Sequence, residues 1–139
     1  MAARVASWEA ALSSYIQDGL TAKFEWGRCD CCLWAAAWVE RCCGWHPAKD
    51  LVGRYSSSTG ARRIIQREGG FVPMLNRRLG RQPIQTPFMA KRGDIAAVPG
   101  VAGIAHAVGI VLGPKVALLT PQGLHRAPIH TATHTWRVG

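Results

Sequence analysis

The residues of this chain best suited to chemistry lie in one stretch, Trp26-Gly27-Arg28-Cys29-Asp30-Cys31-Cys32-Leu33-Trp34. A glycine loop ends in an Asp-Cys pair, and an apolar run of helical character follows at once. That order places a thiol at a helix start, where unpaired backbone N–H groups and the positive end of the helix dipole favour thiolate over thiol. Nucleophilic cysteines are commonly built this way. Cys31 would attack a carbonyl, local N–H groups would steady the oxyanion, and a histidine on another element would serve as base. His106, inside the strand-like run Ala105-His106-Ala107-Val108-Gly109-Ile110, is the first candidate for that base; His125, His130 and His134 are later alternatives.

Two other readings fit the same residues. Cys29, Cys31, Cys32, Cys42 and Cys43 supply enough thiolates for zinc or an iron–sulfur cluster. The two groups sit at opposite ends of one helix, however, roughly 16 Å apart at the helical rise, so one ion cannot bridge them. The surviving metal form is a Cys29/Cys31/Cys32 site completed by a histidine, a spacing that matches no standard knuckle, and the expectation is that no metal or cofactor is used. The third reading is structural, because a reduced cysteine packs as a small hydrophobe. Cys32, Cys42 and Cys43 suit a core; Cys31 stands between nucleophile and core.

The elements that must position these groups can be read from periodicity and punctuation. Trp8, Leu12, Tyr15 and Ile16 share a helical face, with Ser7 as N-cap and Gly19 as stop. The cysteine helix runs from about Asp30 to Cys43 and closes at Gly44 and Pro47. With Asp30 as N-cap, Cys31, Ala35, Trp38 and Cys42 share one face, and Cys32, Ala36, Val39 and Cys43 the next. A helix apolar nearly all round belongs in the centre of the fold. Ser56–Thr59 caps a third helix that ends at Gly69-Gly70, and Pro73 opens a short fourth one that stops at Gly80. Ile95–Val98, His106–Leu112 and Val116–Thr120 then read as strands, Thr135–Val138 as a last one, and the histidines between lie in a Thr/Pro-rich tail. Helices first and strands later predict an α+β fold, the cysteine helix packed on a C-terminal antiparallel sheet, in one domain over 1–139.

Composition narrows the function classes. A chain of 139 residues with 48% hydrophobic content and six tryptophans predicts a packed globule. No window of 18 apolar residues occurs, so no membrane span is expected, and the N-terminal residues carry no apolar run of the secretory kind. Seventeen Lys+Arg against eight Asp+Glu give a formal charge of +9. Arg62, Arg63, Arg67, Arg77, Arg78 and Arg81 concentrate it in the middle third. Such a strip reads either as a solvated basic face or as a surface that docks on acidic proteins. Contact with nucleic acid is the weaker alternative, because little aromatic interleaving accompanies the charge.

The pattern resembles the NlpC/P60 superfamily of papain-like cysteine peptidases. More narrowly, it is similar to the small NlpC/P60-related proteins encoded in tail-gene clusters of phages, prophages and gene transfer agents. The residues that carry the likeness are Trp26-Gly27-x-x-Asp30-Cys31-Cys32-Leu33, Gly53-Arg54-Tyr55, Arg92-Gly93-Asp94-Ile95, Val108-Gly109-Ile110-Val111-Leu112-Gly113 and Trp136-Arg137-Val138. The resemblance implies a papain-like fold with Cys31 as nucleophile. It puts the base directly before the Val-Gly-Ile run; Ala107 holds that place, and His106 lies one residue earlier. The orienting polar residue belongs on the following strand, Val116–Thr120, near which only Thr120 and Gln122 are polar. The implied function is a tail-tip or hub protein, made in the bacterial cytoplasm and carried in the virion tail beside other tail proteins. It would either cleave peptidoglycan peptides, with Cys31 and His106 as the catalytic pair, or serve as a catalytically weak structural component on the same scaffold.

Overall fold

The computed structural model describes residues 2–101 and 104–139. Four helices come first: α1 (Trp8–Gly19), α2 (Cys31–Cys43), α3 (Ser58–Arg67) and α4 (Phe71–Leu79). Five strands follow: β1 (Ile95–Val101), β2 (Ile104–Val111), β3 (Lys115–Thr120), β4 (Gly123–Pro128) and β5 (His134–Trp136). They form one sheet of order β4-β3-β2-β1-β5 in which every pairing is antiparallel. The α+β class and the antiparallel sheet therefore agree with the sequence expectation. None of these helices is long and apolar enough to cross a membrane.

α2 starts where capping chemistry dictates. Asp30 is extended, and its side chain accepts the Leu33 N–H at 2.9 Å, while Gly44 ends the helix in the left-handed conformation. Trp38, Val39 and Cys42 on α2 pack with Ile95, Ala97, Val108, Ile110, Ala117 and Leu119 from one face of the sheet. Trp38 and Trp136 are fully buried, and each indole N–H is satisfied, by Gly93 O at 2.9 Å and Asn76 Oδ1 at 2.8 Å. The opposite face of the sheet holds Ala96, Val98, Ala107, Val111, Val116 and Leu118.

Three expectations need correction. Ser7 makes no side-chain cap on α1. α4 begins at Phe71, not at Pro73, because a proline in the first turn of a helix removes no intrahelical hydrogen bond. The stretch read as a Thr/Pro-rich tail contains β4, an edge strand paired along its whole length with β3, from Thr120↔Gly123 to Lys115↔Pro128. An edge strand is held by backbone hydrogen bonds and carries little apolar alternation, so β4 gave no hydropathy signal.

β2 and β3 are registered at only two pairs, Ile110↔Ala117 and Val111↔Val116. They approach closely there: a Cβ on Gly109 would lie 2.4 Å from Ala117 O and 2.7 Å from Val116 Cγ1. The N-terminal half of β2 then leaves that ladder and forks away from β3. The start of α2 lies at this fork.

Candidate functional site

Asp30 is the centre of the Cys31 neighbourhood. One carboxylate oxygen caps α2; the other accepts the Gly27 N–H at 3.0 Å and the phenolic O–H of Tyr55. Gly27 has φ of 80°, and a Cβ there would lie 1.7 Å from Tyr55 O, so only glycine lets the loop approach. Gly53 N–H closes the clamp on Gly27 O at 2.8 Å. Trp26-Gly27-x-x-Asp30 and Gly53-Arg54-Tyr55 are thus two halves of one support for the start of α2. Burial, followed by the Asp30 charge, drives the Tyr55 phenol far above its usual range and keeps it a hydrogen-bond donor.

Cys31 is only 2% exposed. Hydrogen bonding from the Cys32 thiol, helped by the backbone N–H groups of Val108 and Cys32, holds the Cys31 thiol below its ordinary range, against burial and the Asp30 charge. Its neighbour responds oppositely: donation to Cys31, then burial, pushes the Cys32 thiol well above its usual value. The Val108 N–H is available to Cys31 because β2 has left its β3 ladder at that point.

The β1–β2 register runs unbroken from Pro99↔His106 to Ile95↔Ile110, with no bulge between His106 and Val108. Side chains alternate along a strand, so His106 looks to the side of Val108 and Ile110. Its ring stacks on Phe71 with centroids 4.9 Å apart, and with Trp26, Arg62 and Ile65 it lines a small cleft of about 80 Å³. It makes no hydrogen bond to Cys31 or to any other described residue. Cys31 instead packs in the cluster that holds Ala107, Ala96 and Val98. The position at which the resemblance implies a base is occupied by alanine, and that alanine shares the thiol's own cluster.

The remaining candidates are dispersed. Thr120 Oγ1 donates to Gly123 O at 2.8 Å and accepts the Gln122 N–H, pinning the β3–β4 turn. His125 is exposed on β4 opposite Leu118, and His134 stacks on Trp136 with centroids 6.0 Å apart. His46 Nδ1 accepts the Ala48 N–H at 3.1 Å within its loop. All five cysteines are free thiols, and no group of three His, Cys, Asp or Glu side chains converges among the described residues. Trp34 packs on Tyr15 in the core, whereas Trp26 lines the His106 cleft.

Gly93-Asp94 is a tether for both ends of the chain. Asp94 is fully buried; it accepts the Lys91 N–H at 2.8 Å and the Val138 N–H at 2.9 Å, and it pairs with Arg4 at 2.8 Å. Arg4 also donates to Val138 O and Arg92 O, each at 2.7 Å.

The six arginines of the basic strip do not form one face. Arg78 turns inward, binding Asp50 at 2.7 Å and Glu68 at 2.5 Å, and Arg77 donates to the Glu68 backbone carbonyl. Arg62 borders the His106 cleft, while Arg63 and Arg67 line a separate groove. Which arginine meets a carboxylate depends on residues distant in the chain, Asp50 and Glu68 for Arg78.

A family model described as "Domain of unknown function (DUF6950)" matches residues 3–138. The chain belongs to the DUF6950 family. Neither a curated protein nor a solved structure matches it. Within this DUF6950 domain the feature that sequence reading missed is the fork between β2 and β3, which lets Cys31 reach the Val108 N–H. The sole sequence signal for it is Gly109, since close strand approach demands a missing side chain.

Proposed function

We propose that the chain is a structural component of a phage-type tail tip or hub, built on an NlpC/P60-like, papain-like scaffold in which the hydrolytic pair is not assembled. One observation carries the reading: Cys31 shares a buried cluster with Ala107, while His106 stacks on Phe71 and makes no hydrogen bond to Cys31. A base must lie within hydrogen-bond reach of the thiol it deprotonates, and no histidine among the described residues is hydrogen-bonded to Cys31. The motifs behind the resemblance nevertheless have work to do here. Gly27, Asp30 and Tyr55 seat α2, and Asp94 fastens the termini. A scaffold needs those contacts whether or not it catalyses.

The tail assignment rests on the spaced motifs that resemble tail-cluster proteins, and it places the mature protein in the virion after synthesis in the bacterial cytoplasm, against other tail proteins. Mass spectrometry of purified particles from cells carrying the gene should find the chain in the tail fraction; its absence from particles would refute the assignment. Incubation with purified peptidoglycan should release no more peptide than the Cys31→Ser protein does.

A second reading, a peptidoglycan endopeptidase, is favoured by the lowered Cys31 thiol at a helix start. It requires peptide release that depends on both Cys31 and His106, and that result in the same assay would replace the scaffold reading.

A further inference from the structure

We propose that the open groove between α3 and residues 50–57 docks an acidic segment of a partner protein, gripped by Arg54, Arg63 and Arg67. The groove encloses about 680 Å³, and Leu51, Tyr55 and Ile64 share its lining with these arginines. Arg63 and Arg67 are one helical turn apart and so present from the same face of α3, while Arg54 comes from the loop wall. All three are exposed, and none makes an ion pair or a side-chain hydrogen bond with another described residue.

The carboxylates that could neutralise them are already committed. Asp50 and Glu68 also line the groove, but Arg78 binds both, and Arg77 pairs with Glu68 as well at 3.6 Å. The Arg78 contact is the main reason the Asp50 carboxyl is held below its ordinary range; Arg54 adds a smaller pull. The result is a concave wall with three guanidinium groups left over, on a chain of formal charge +9.

The lining selects among anionic partners. Guanidinium forks match carboxylates in bidentate geometry. Leu51 and Ile64 offer apolar surface to the aliphatic stems of acidic side chains. A single nucleic-acid strand needs free aromatic faces for stacking, and Tyr55, the aromatic residue in this lining, is half-buried and tied to Asp30. An acidic peptide therefore fits the groove better than a nucleic acid does. The proposal stands whether or not the chain is carried in a phage tail, and a negative result here leaves that assignment untouched.

The test is a titration of a fluorescein-labelled hexaglutamate peptide into the full chain at low salt, followed by anisotropy. Arg63→Gln combined with Arg67→Gln should weaken binding by about tenfold. Lys23→Gln combined with Lys115→Gln removes the same net charge outside the groove and should weaken it by less than about twofold. Arg54→Gln, which alters no helix, should reproduce part of the loss from the opposite wall. A wild-type chain that does not bind the peptide would overturn the proposal, as would equal losses in the two double variants. So would a deoxythymidine oligonucleotide of equal charge that binds more tightly and is itself released by the Arg63/Arg67 pair.

Discussion

Tyr55 donates its phenolic hydroxyl to the same Asp30 carboxylate that caps α2, joining two segments 25 residues apart in the chain. The contact makes the loop after α2 part of the helix start, and it explains why a Gly-Arg-Tyr motif accompanies an Asp-Cys motif. Removing the hydroxyl alone should therefore be costly. Tyr55→Phe is expected to lower stability by about 1.5–3 kcal/mol, the range for a hydrogen bond to a charged acceptor. Urea denaturation checks this: the midpoint should fall with the slope unchanged. An unaltered midpoint would show that water replaces the hydroxyl at Asp30.

Asp94 anchors both termini in the core, so its loss should be felt at positions far from it in sequence. Asp94→Ala leaves the partly buried Arg4 without its partner and is expected to cost about 3–5 kcal/mol. Hydrogen exchange gives a local readout, since the Val138 amide should lose protection relative to core strand amides such as Ile110. Arg4→Gln should produce a smaller effect, because the backbone bonds from Lys91 and Val138 to Asp94 remain.

The lowered Cys31 thiol is sealed from solvent, so ionisation and accessibility compete. Brief iodoacetamide treatment of the native protein near neutral pH, mapped by mass spectrometry, is expected to modify the half-buried Cys29 before Cys31 and to leave Cys42 largely unmodified. Small additions of urea should accelerate Cys31 by opening the β2–β3 fork. If Cys31 instead labels first in the absence of denaturant, the thiol has free access to solvent and the peptidase reading gains ground.

Stability should decline on the alkaline side. Burial pushes the Cys42 thiol up to about 12 and raises the Tyr15 and Tyr55 phenols above their ordinary range. In the unfolded chain thiols ionise near pH 8.5 and phenols near pH 10. Above about pH 8.5 the unfolded state therefore binds fewer protons than the folded state, and the unfolding free energy falls as pH rises. The contribution from Cys42 is complete below that pH and is lost up to about 12. Cys42→Ala should flatten the decline between about pH 9 and 12 in a pH series of urea melts. An identical pH profile would mean that Cys42 titrates normally in the folded protein.

Local chemistry settled much of this molecule before any folding was considered. Asp30 beside an all-round apolar run made α2 a central helix, with Gly44 as its stop. The short apolar runs Ile95–Val98 and Val116–Thr120, bounded by Gly and Pro, made strands, and the order of elements made an α+β fold. These features depend on capping, hydropathy and turn residues within a few positions of one another, which a sequence displays directly. β4 escaped because an edge strand is stabilised by backbone pairing that leaves little trace in side-chain pattern.

Tertiary structure decided the rest. His106 and Ala107 are adjacent in sequence, yet strand pleating sends them to opposite faces, and the unbroken register with β1 leaves Ala107 in the cluster that holds Cys31. Arg63, Arg67 and Arg78 carry the same charge, but Arg78 meets Asp50 and Glu68 while the other two face an open groove. Residue type and spacing specify which groups are capable of chemistry. Which of them meet is set by strand register and by contacts between distant segments, because hydrogen bonds and ion pairs act only over a few ångströms.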